Sequence, residues 1–267
     1  MEFKEILFQS DQGIATLTLN RPDIRNAITH PEIIAEIKYV CKLVNDDLAT
    51  KVLIVTGAEP AYSSGGNVKD MKDRKGMFQG TPAELMENYR RNIQDVLLAV
   101  YGVEIPTIAA INGSAVGAGC GLALMCDIRV ASWKASFGET FLNVGLIPGD
   151  GSAFTLPRAV GMAKACELIF AGDTIDAETA LSLGLINYVV DHEKLMEKAT
   201  EVANKIASKP PQALRMTKRL IRTGQHSTLQ YIMEEAAAFQ SLCHYTEDHM
   251  EALSAMFEKR KPRFTGK

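Results

Sequence analysis

Two runs of small residues stand where a backbone could do chemistry. Ser63-Ser64-Gly65-Gly66-Asn67 comes after the apolar run Val52–Thr56, and Gly117-Ala118-Gly119-Cys120-Gly121 comes after Thr107–Ile111. Stripping side chains from such a junction lets other groups approach the N–H groups closely. Where a helix follows, the helix dipole reinforces them. Fixed donors of this kind suit an oxyanion, the charged oxygen formed when a proton leaves the carbon beside a carbonyl. The same glycines also suit a tight strand–helix crossing packed through small residues. Two such loops at equivalent ends of neighbouring parallel strands could aim two N–H groups at one point, which favours the oxyanion.

Competing chemistries fail on spacing. A dinucleotide fingerprint needs a glycine at Leu122, and no P-loop lysine follows the run. No GxSxG elbow for a serine hydrolase is present. The histidines (30, 192, 226, 244 and 249) are scattered, so no metal set is expected.

The elements that must position the loops read as alternating strands and helices. Ile6–Phe8 and Ile14–Leu19 flank Asp11-Gln12-Gly13 as a hairpin. Ile33, Ile34, Ile37, Cys41 and Val44 recur at helical spacing after Pro31. Val52–Thr56 and Thr107–Ile111 read as buried strands, and the polar stretch between Ala58 and about Gly80 as a lid or binding loop. Ala83–Tyr101 reads as one helix, Leu122–Cys126 as a short one, Ile128–Ala131 as a strand. Ala163–Phe170 and Ala177–Ser182 follow as helices and Ile186–Val190 as a last strand. Everything after Glu193 is helical, broken at Pro210-Pro211. The expectation is an α/β core over residues 1–192 with a helical region over 193–267.

Bulk properties narrow the function classes. The chain has 267 residues, 46% hydrophobic and 23% charged, with a formal charge of −3 that gives no reason to expect nucleic acid. No window reaches the length of a spanning helix, so no membrane partner is expected. Five cysteines without a CxxC pair suit a reduced compartment, and the acidic N-terminus is unlike a targeting peptide, so a cytoplasmic location is expected.

The pair of loops resembles the crotonase (enoyl-CoA hydratase/isomerase) superfamily. So do Leu19-Asn20-Arg21-Pro22 with Arg25-Asn26-Ala27, Phe137-Gly138-Glu139, Gly145-Leu146-Ile147-Pro148-Gly149 and Glu258-Lys259-Arg260-Lys261-Pro262. The likeness runs in order over nearly the whole chain. It implies a spiral of ββα units, a C-terminal helical region used in trimer formation, and an acyl-CoA thioester as substrate, with no cofactor beyond the CoA the substrate carries. It implies that the N–H groups of Gly66 and Ala118 hold the thioester oxygen. It also implies CoA contacts from Arg25, Ala27, Ser64 and Lys69, and from Lys259, which a neighbouring subunit could supply; the cations suit solvated surface positions equally. A homotrimer or homohexamer follows from the resemblance; the apolar face of Leu229, Ile232, Met233, Ala236 and Ala237 must cover either its own core or a neighbour, and the resemblance favours the neighbour.

The two glutamates that a hydratase of this family places around one water fall at Gly121 and Phe141, and neither can move a proton. Two carboxylates are candidate substitutes. Asp150, in Leu146-Ile147-Pro148-Gly149-Asp150-Gly151-Ser152, stands at the start of a helical turn and suits an N-cap as well. Glu139 lies two residues before Phe141, on the same face if that segment is a strand, and suits a structural ion pair as well. The expected activity is enoyl-CoA hydratase/isomerase-type chemistry through a stabilised thioester enolate. Isomerisation, decarboxylation, carbon–carbon hydrolysis or silent acyl-CoA binding are the alternatives.

Overall fold

The structure, a computed structural model, describes residues 2–267. Ile6–Asp11 (β1) and Ile14–Leu19 (β2) form the expected antiparallel hairpin. Gln12 (φ +48°) and Gly13 (φ +81°) make its two-residue turn, both in the left-handed conformation that such a turn requires. Pro31–Asp46 (α1) then leads to Val52–Gly57 (β3), parallel to β2.

From here the chain repeats one unit: a strand in a first sheet, a short strand in a second, then helix. β3 is followed by Ala61–Ser63 (β4), Val68–Asp73 (α2), Pro82–Arg91 (α3) and Ile93–Tyr101 (α4). Thr107–Ile111 (β5) is followed by Ser114–Val116 (β6) and Ala118–Met125 (α5). Ile128–Ser132 (β7) is followed by Ser136–Gly138 (β8), Ser152–Val160 (α6) and Met162–Ala171 (α7). Thr174–Asp176 (β9), Ala177–Ser182 (α8) and Tyr188–Val190 (β10) finish the winding. The first sheet has the order β1-β2-β3-β5-β7-β10, and the second β4-β6-β8-β9. This is the expected spiral of ββα units.

The apolar strands of the first sheet are continuous because both faces are covered. Leu53, Val55, Ala109 and Ile111 face the main core with α1, α4 and α5. The alternate residues Val52, Ile54, Ile108, Ala110 and Val130 pack on Leu195, Ala199 and Ala203 of Leu195–Ala207 (α9). Thus α9, just past the division expected at 192/193, lies on the sheet. Pro211–Gly224 (α10) is anchored by Arg215, which donates to the carbonyls of Val44, Asn45 and Asp47 and pairs with Glu104 at 2.8 Å. Leu229–His244 (α11) and Glu247–Phe257 (α12) leave Leu229, Met233, Tyr245 and Phe257 exposed.

Three expectations need correction. The stretch from 58 to 80 is not a structureless loop: it holds β4, α2 and a 3-10 turn at Gly76–Phe78, each too short to show a period. The helix expected over 83–101 is two helices broken at Asn92 (φ −117°, ψ −95°), whose side chain donates to the Asn88 carbonyl at 2.8 Å. The short helix begins not at Leu122 but at Ala118, so the small residues after Gly117 are its first turn.

Candidate active site

The first loop is built on Asn26, which is fully buried at φ +55°, a conformation asparagine tolerates. Its amide donates to the Ala58 and Ala61 carbonyls, both at 2.7 Å, and its Oδ1 accepts the Arg21 N–H at 2.9 Å. Ser63 Oγ donates back to the Asn26 carbonyl at 2.8 Å, and Ser64 N–H to that of Arg25 at 2.9 Å. The Arg25-Asn26-Ala27 turn thus holds the loop from below. Gly65 (φ +71°) is pressed against the second loop: a Cβ there would lie 2.6 Å from the Ala118 nitrogen and 2.7 Å from that of Gly119.

Gly117 (φ +52°) turns β6 into α5 and donates to the Gly138 carbonyl at 2.8 Å. A Cβ on Gly119 would overlap the Ser63 carbonyl oxygen. The two loops therefore meet backbone to backbone, and the small residues serve packing and exposure together. The N–H groups of Gly66, just past the contact, and of Ala118, first in α5, have no acceptor among the described residues. Met71 and Phe78 close over Gly66, and the Phe141 ring stands 3.7 Å from where a Cβ on Gly117 would be. These side chains make an apolar wall around the two donors.

Gly121 lies one turn after Ala118, on the same face of α5. A Cβ there would lie 2.9 Å from Asp150 Cγ and overlap Asp150 Oδ2. The Asp150 carboxylate occupies the volume that a side chain at 121 would fill. Asp150 is buried; its Oδ1 accepts the Ser152 N–H at 3.0 Å and the Ser152 hydroxyl at 2.6 Å, and its Oδ2 has no partner. The helix cap itself is Gly151 (φ +88°), so Asp150 holds the first turn through one oxygen and leaves the other free. Burial raises its pKa above the usual carboxylate range, against the Ser152 bonds that lower it.

Glu139 comes to the same cluster by a route other than the one expected. β8 ends at Gly138, and Glu139 (φ −94°, ψ +71°) precedes a 3-10 turn at Thr140–Val144. The same-face argument linking it to Phe141 therefore fails: Glu139 turns inward and Phe141 lies over Gly117. Glu139 Oε2 lies 2.9 Å from Ser152 Oγ, within hydrogen-bond distance, while Oε1 is buried without a partner among the described residues. Burial, followed by the charge of Asp150, pushes Glu139 up to about 8. Ser152, fully buried between the two acids, was not anticipated; its position two residues after Asp150 is the spacing of an Asx turn, and nothing at sequence level ties it to Glu139.

The remaining positions divide. Arg25, Ala27, Ser64 and Lys69 gather on the first loop and its support, with Arg25 and Lys69 exposed and Ala27 buried. Lys259 (φ +56°) follows α12, in a tail bonded to Asp248, Glu251 and Gln212 rather than to that loop. Tyr62 and Met77, on either side of that loop, are core residues.

Residues 9–267 match the family model described as enoyl-CoA hydratase/isomerase. The chain belongs to the enoyl-CoA hydratase/isomerase family. A short-chain-enoyl-CoA hydratase of Clostridium acetobutylicum is 36% identical over 98% of this chain and 97% of its own. A 1,2-epoxyphenylacetyl-CoA isomerase of Escherichia coli is 35% identical over the full length of both. The crystal structure of an enoyl-CoA hydratase from Bacillus anthracis superposes with a TM-score of 0.92 at 32% identity, covering 99% of this chain and 100% of that one. The chain is accordingly an acyl-CoA enzyme of the enoyl-CoA hydratase/isomerase family, a lyase or an isomerase.

Proposed function

We propose that the enzyme moves a proton at the α-carbon of an acyl-CoA thioester, as an isomerase rather than a hydratase. Asp150 Oδ2 takes the proton from Cα, the Cα–H electron pair passes into the enolate, and the Gly66 and Ala118 N–H groups hold the thioester oxygen that gains the charge. Return of the proton at another carbon shifts a double bond. The observation carrying this reading is the free Asp150 Oδ2 standing where a side chain at Gly121 would be. Hydration needs a water held between two carboxylates near the β-carbon, and the half-buried Phe141 ring beside Gly117 makes that side apolar. The wall of Met71, Phe78 and Phe141 suits an apolar acyl chain.

The exposed cations Arg25 and Lys69 suit the CoA phosphates, with Ser64 at the loop surface and the buried Ala27 backing it, and the reaction needs no further cofactor. The exposed Leu229, Met233 and Phe257 support a homotrimer or homohexamer, in which Lys259 of one subunit serves the CoA of another. The five unpaired thiols fit the cytoplasm. The test is exchange of the α-hydrogens of hexanoyl-CoA in deuterated water, followed by mass spectrometry, beside hydration of crotonyl-CoA. Exchange with hydration far below a median turnover of ~10 s⁻¹ is expected. Fast hydration, or no exchange at all, overturns the reading. Sedimentation at micromolar concentration should show three or six subunits, and a monomer that binds CoA tightly removes the shared role of Lys259.

A further inference from the structure

We infer that Glu139 is a positioning residue: its carboxylic acid donates to Ser152, whose hydroxyl donates to Asp150, and this directed chain keeps Asp150 ionised with Oδ2 free. The inference rests on Asp150 being the acid/base proposed above.

Counting protons gives the chain its direction. Ser152 Oγ lies 2.9 Å from Glu139 Oε2 and 2.6 Å from Asp150 Oδ1, yet a serine carries a single hydroxyl proton. It can donate to one acid only, so the other bond exists only if that acid is the donor. The two ends are unequal. Asp150 Oδ1 already accepts the Ser152 N–H and makes the shorter bond to Oγ, so the charge is best solvated there. Glu139 has no backbone N–H on it, and its other neighbour is the Cys120 thiol, a weak donor. Its surroundings include a void of about 10 Å³ lined by Cys120, Phe137, Leu156, Leu168, Ile175 and Leu185, at the lower limit for a single water. A charge on Glu139 would be poorly solvated, and a neutral acid there is the cheaper state. Glu139 being pushed up to about 8, mainly by burial, agrees with this assignment.

The groups facing the pair do not compete for the proton. From α5 the Cys120 thiol is raised well above its usual range by burial and by Glu139, and from α3 the Tyr89 phenol, also raised by burial, lies against Gly149. Beside Gly138, Asp173 presents its backbone carbonyl. α6, α7 and β9 contribute Leu156, Leu168 and Ile175. Above about pH 8 Glu139 loses its proton, the donor to Ser152 disappears, and two carboxylates contend for one hydroxyl. Ser152 can then turn away from Asp150, and a second negative charge makes Asp150 harder to keep in its working geometry.

The experiment has a spectroscopic arm and a kinetic arm. Infrared difference spectra near neutral pH should show a protonated carboxyl that disappears in Glu139→Gln and persists in Asp150→Asn. A band lost in Asp150→Asn and kept in Glu139→Gln places the proton on the other acid and overturns the inference. In the exchange assay with hexanoyl-CoA, the wild-type rate should fall above about pH 8. Glu139→Gln, whose amide still donates to Ser152, should stay within about tenfold of the wild type and lose the alkaline fall, while Glu139→Ala and Ser152→Ala drop by about tenfold or more. If Glu139→Gln keeps the alkaline fall while Asp150→Asn is inactive, this inference fails and the assignment of Asp150 stands. If Asp150→Asn exchanges at the wild-type rate, the assignment of Asp150 fails, whatever the spectra show.

Discussion

Asp127, partly buried, and Asp150, buried, are the same residue treated in opposite ways. Asp127, at the end of α5, meets Lys218 at 2.7 Å and Arg222 at 2.6 Å and accepts the Thr107 N–H at 2.8 Å. Burial alone would raise its pKa, but the two cations outweigh it and hold the carboxyl below the usual range. Asp150 has no cation among its partners in the described residues; burial wins, and one oxygen is left unbonded. Paired charge fastens α10 to the core, while unpaired charge is what can leave for, or return from, a substrate. Residue type alone could not distinguish them. Partner type does.

The contrast is broken most sharply by exchanging each acid for its amide. Asp150→Asn should lower α-hydrogen exchange by about 10²–10⁴-fold, the range of a lost acid/base, while the folded enzyme melts no earlier than the wild type. Removing one oxyanion donor with Gly66→Pro should come next, lowering exchange by about 10²–10³-fold. Wild-type exchange in a folded Gly66→Pro variant would disprove the role of that N–H. Asp127→Asn should do the reverse of Asp150→Asn. It should leave the exchange rate of the folded enzyme unchanged while costing about 3 kcal/mol in denaturant unfolding, since Lys218 and Arg222 lose their counter-charge.

A further effect is a stability shift with a definite sign. Glu139 moves from 4.5 toward about 8 on folding, so across that window the native state holds a proton that the unfolded chain has released. Stability therefore declines as pH rises from about 4.5 to about 8, then levels. Glu139→Gln removes this decline. Its melting temperature should equal that of the wild type near the low end and exceed it most at the high end. Parallel curves for the two proteins would show that Glu139 does not carry the shift.

The loops, the strands that lead to them and the alternation of strand and helix were legible because each leaves a local pattern: apolar runs, then residues without side chains. Gly66 and Ala118 were named by the family resemblance, and the local pattern showed only that their immediate neighbours Gly65 and Gly119 must be small. The short pieces β4, β6, β8 and β9 were not, because three residues carry no period. Glu139 and Ser152 show a different limit. Thirteen residues separate them, and only the turn after Gly138 and the start of α6 bring them within 2.9 Å. Asp150 was legible as a candidate, but its two oxygens, one tied and one free, exist only in three dimensions.

The overlap between a side chain at 121 and the carboxylate of Asp150 makes the two positions rivals for one place. A side chain at 121 and the carboxylate of Asp150 in its present orientation cannot share one volume. Installing Glu at 121 today would not restore an older activity beside the present one; it would evict the present one.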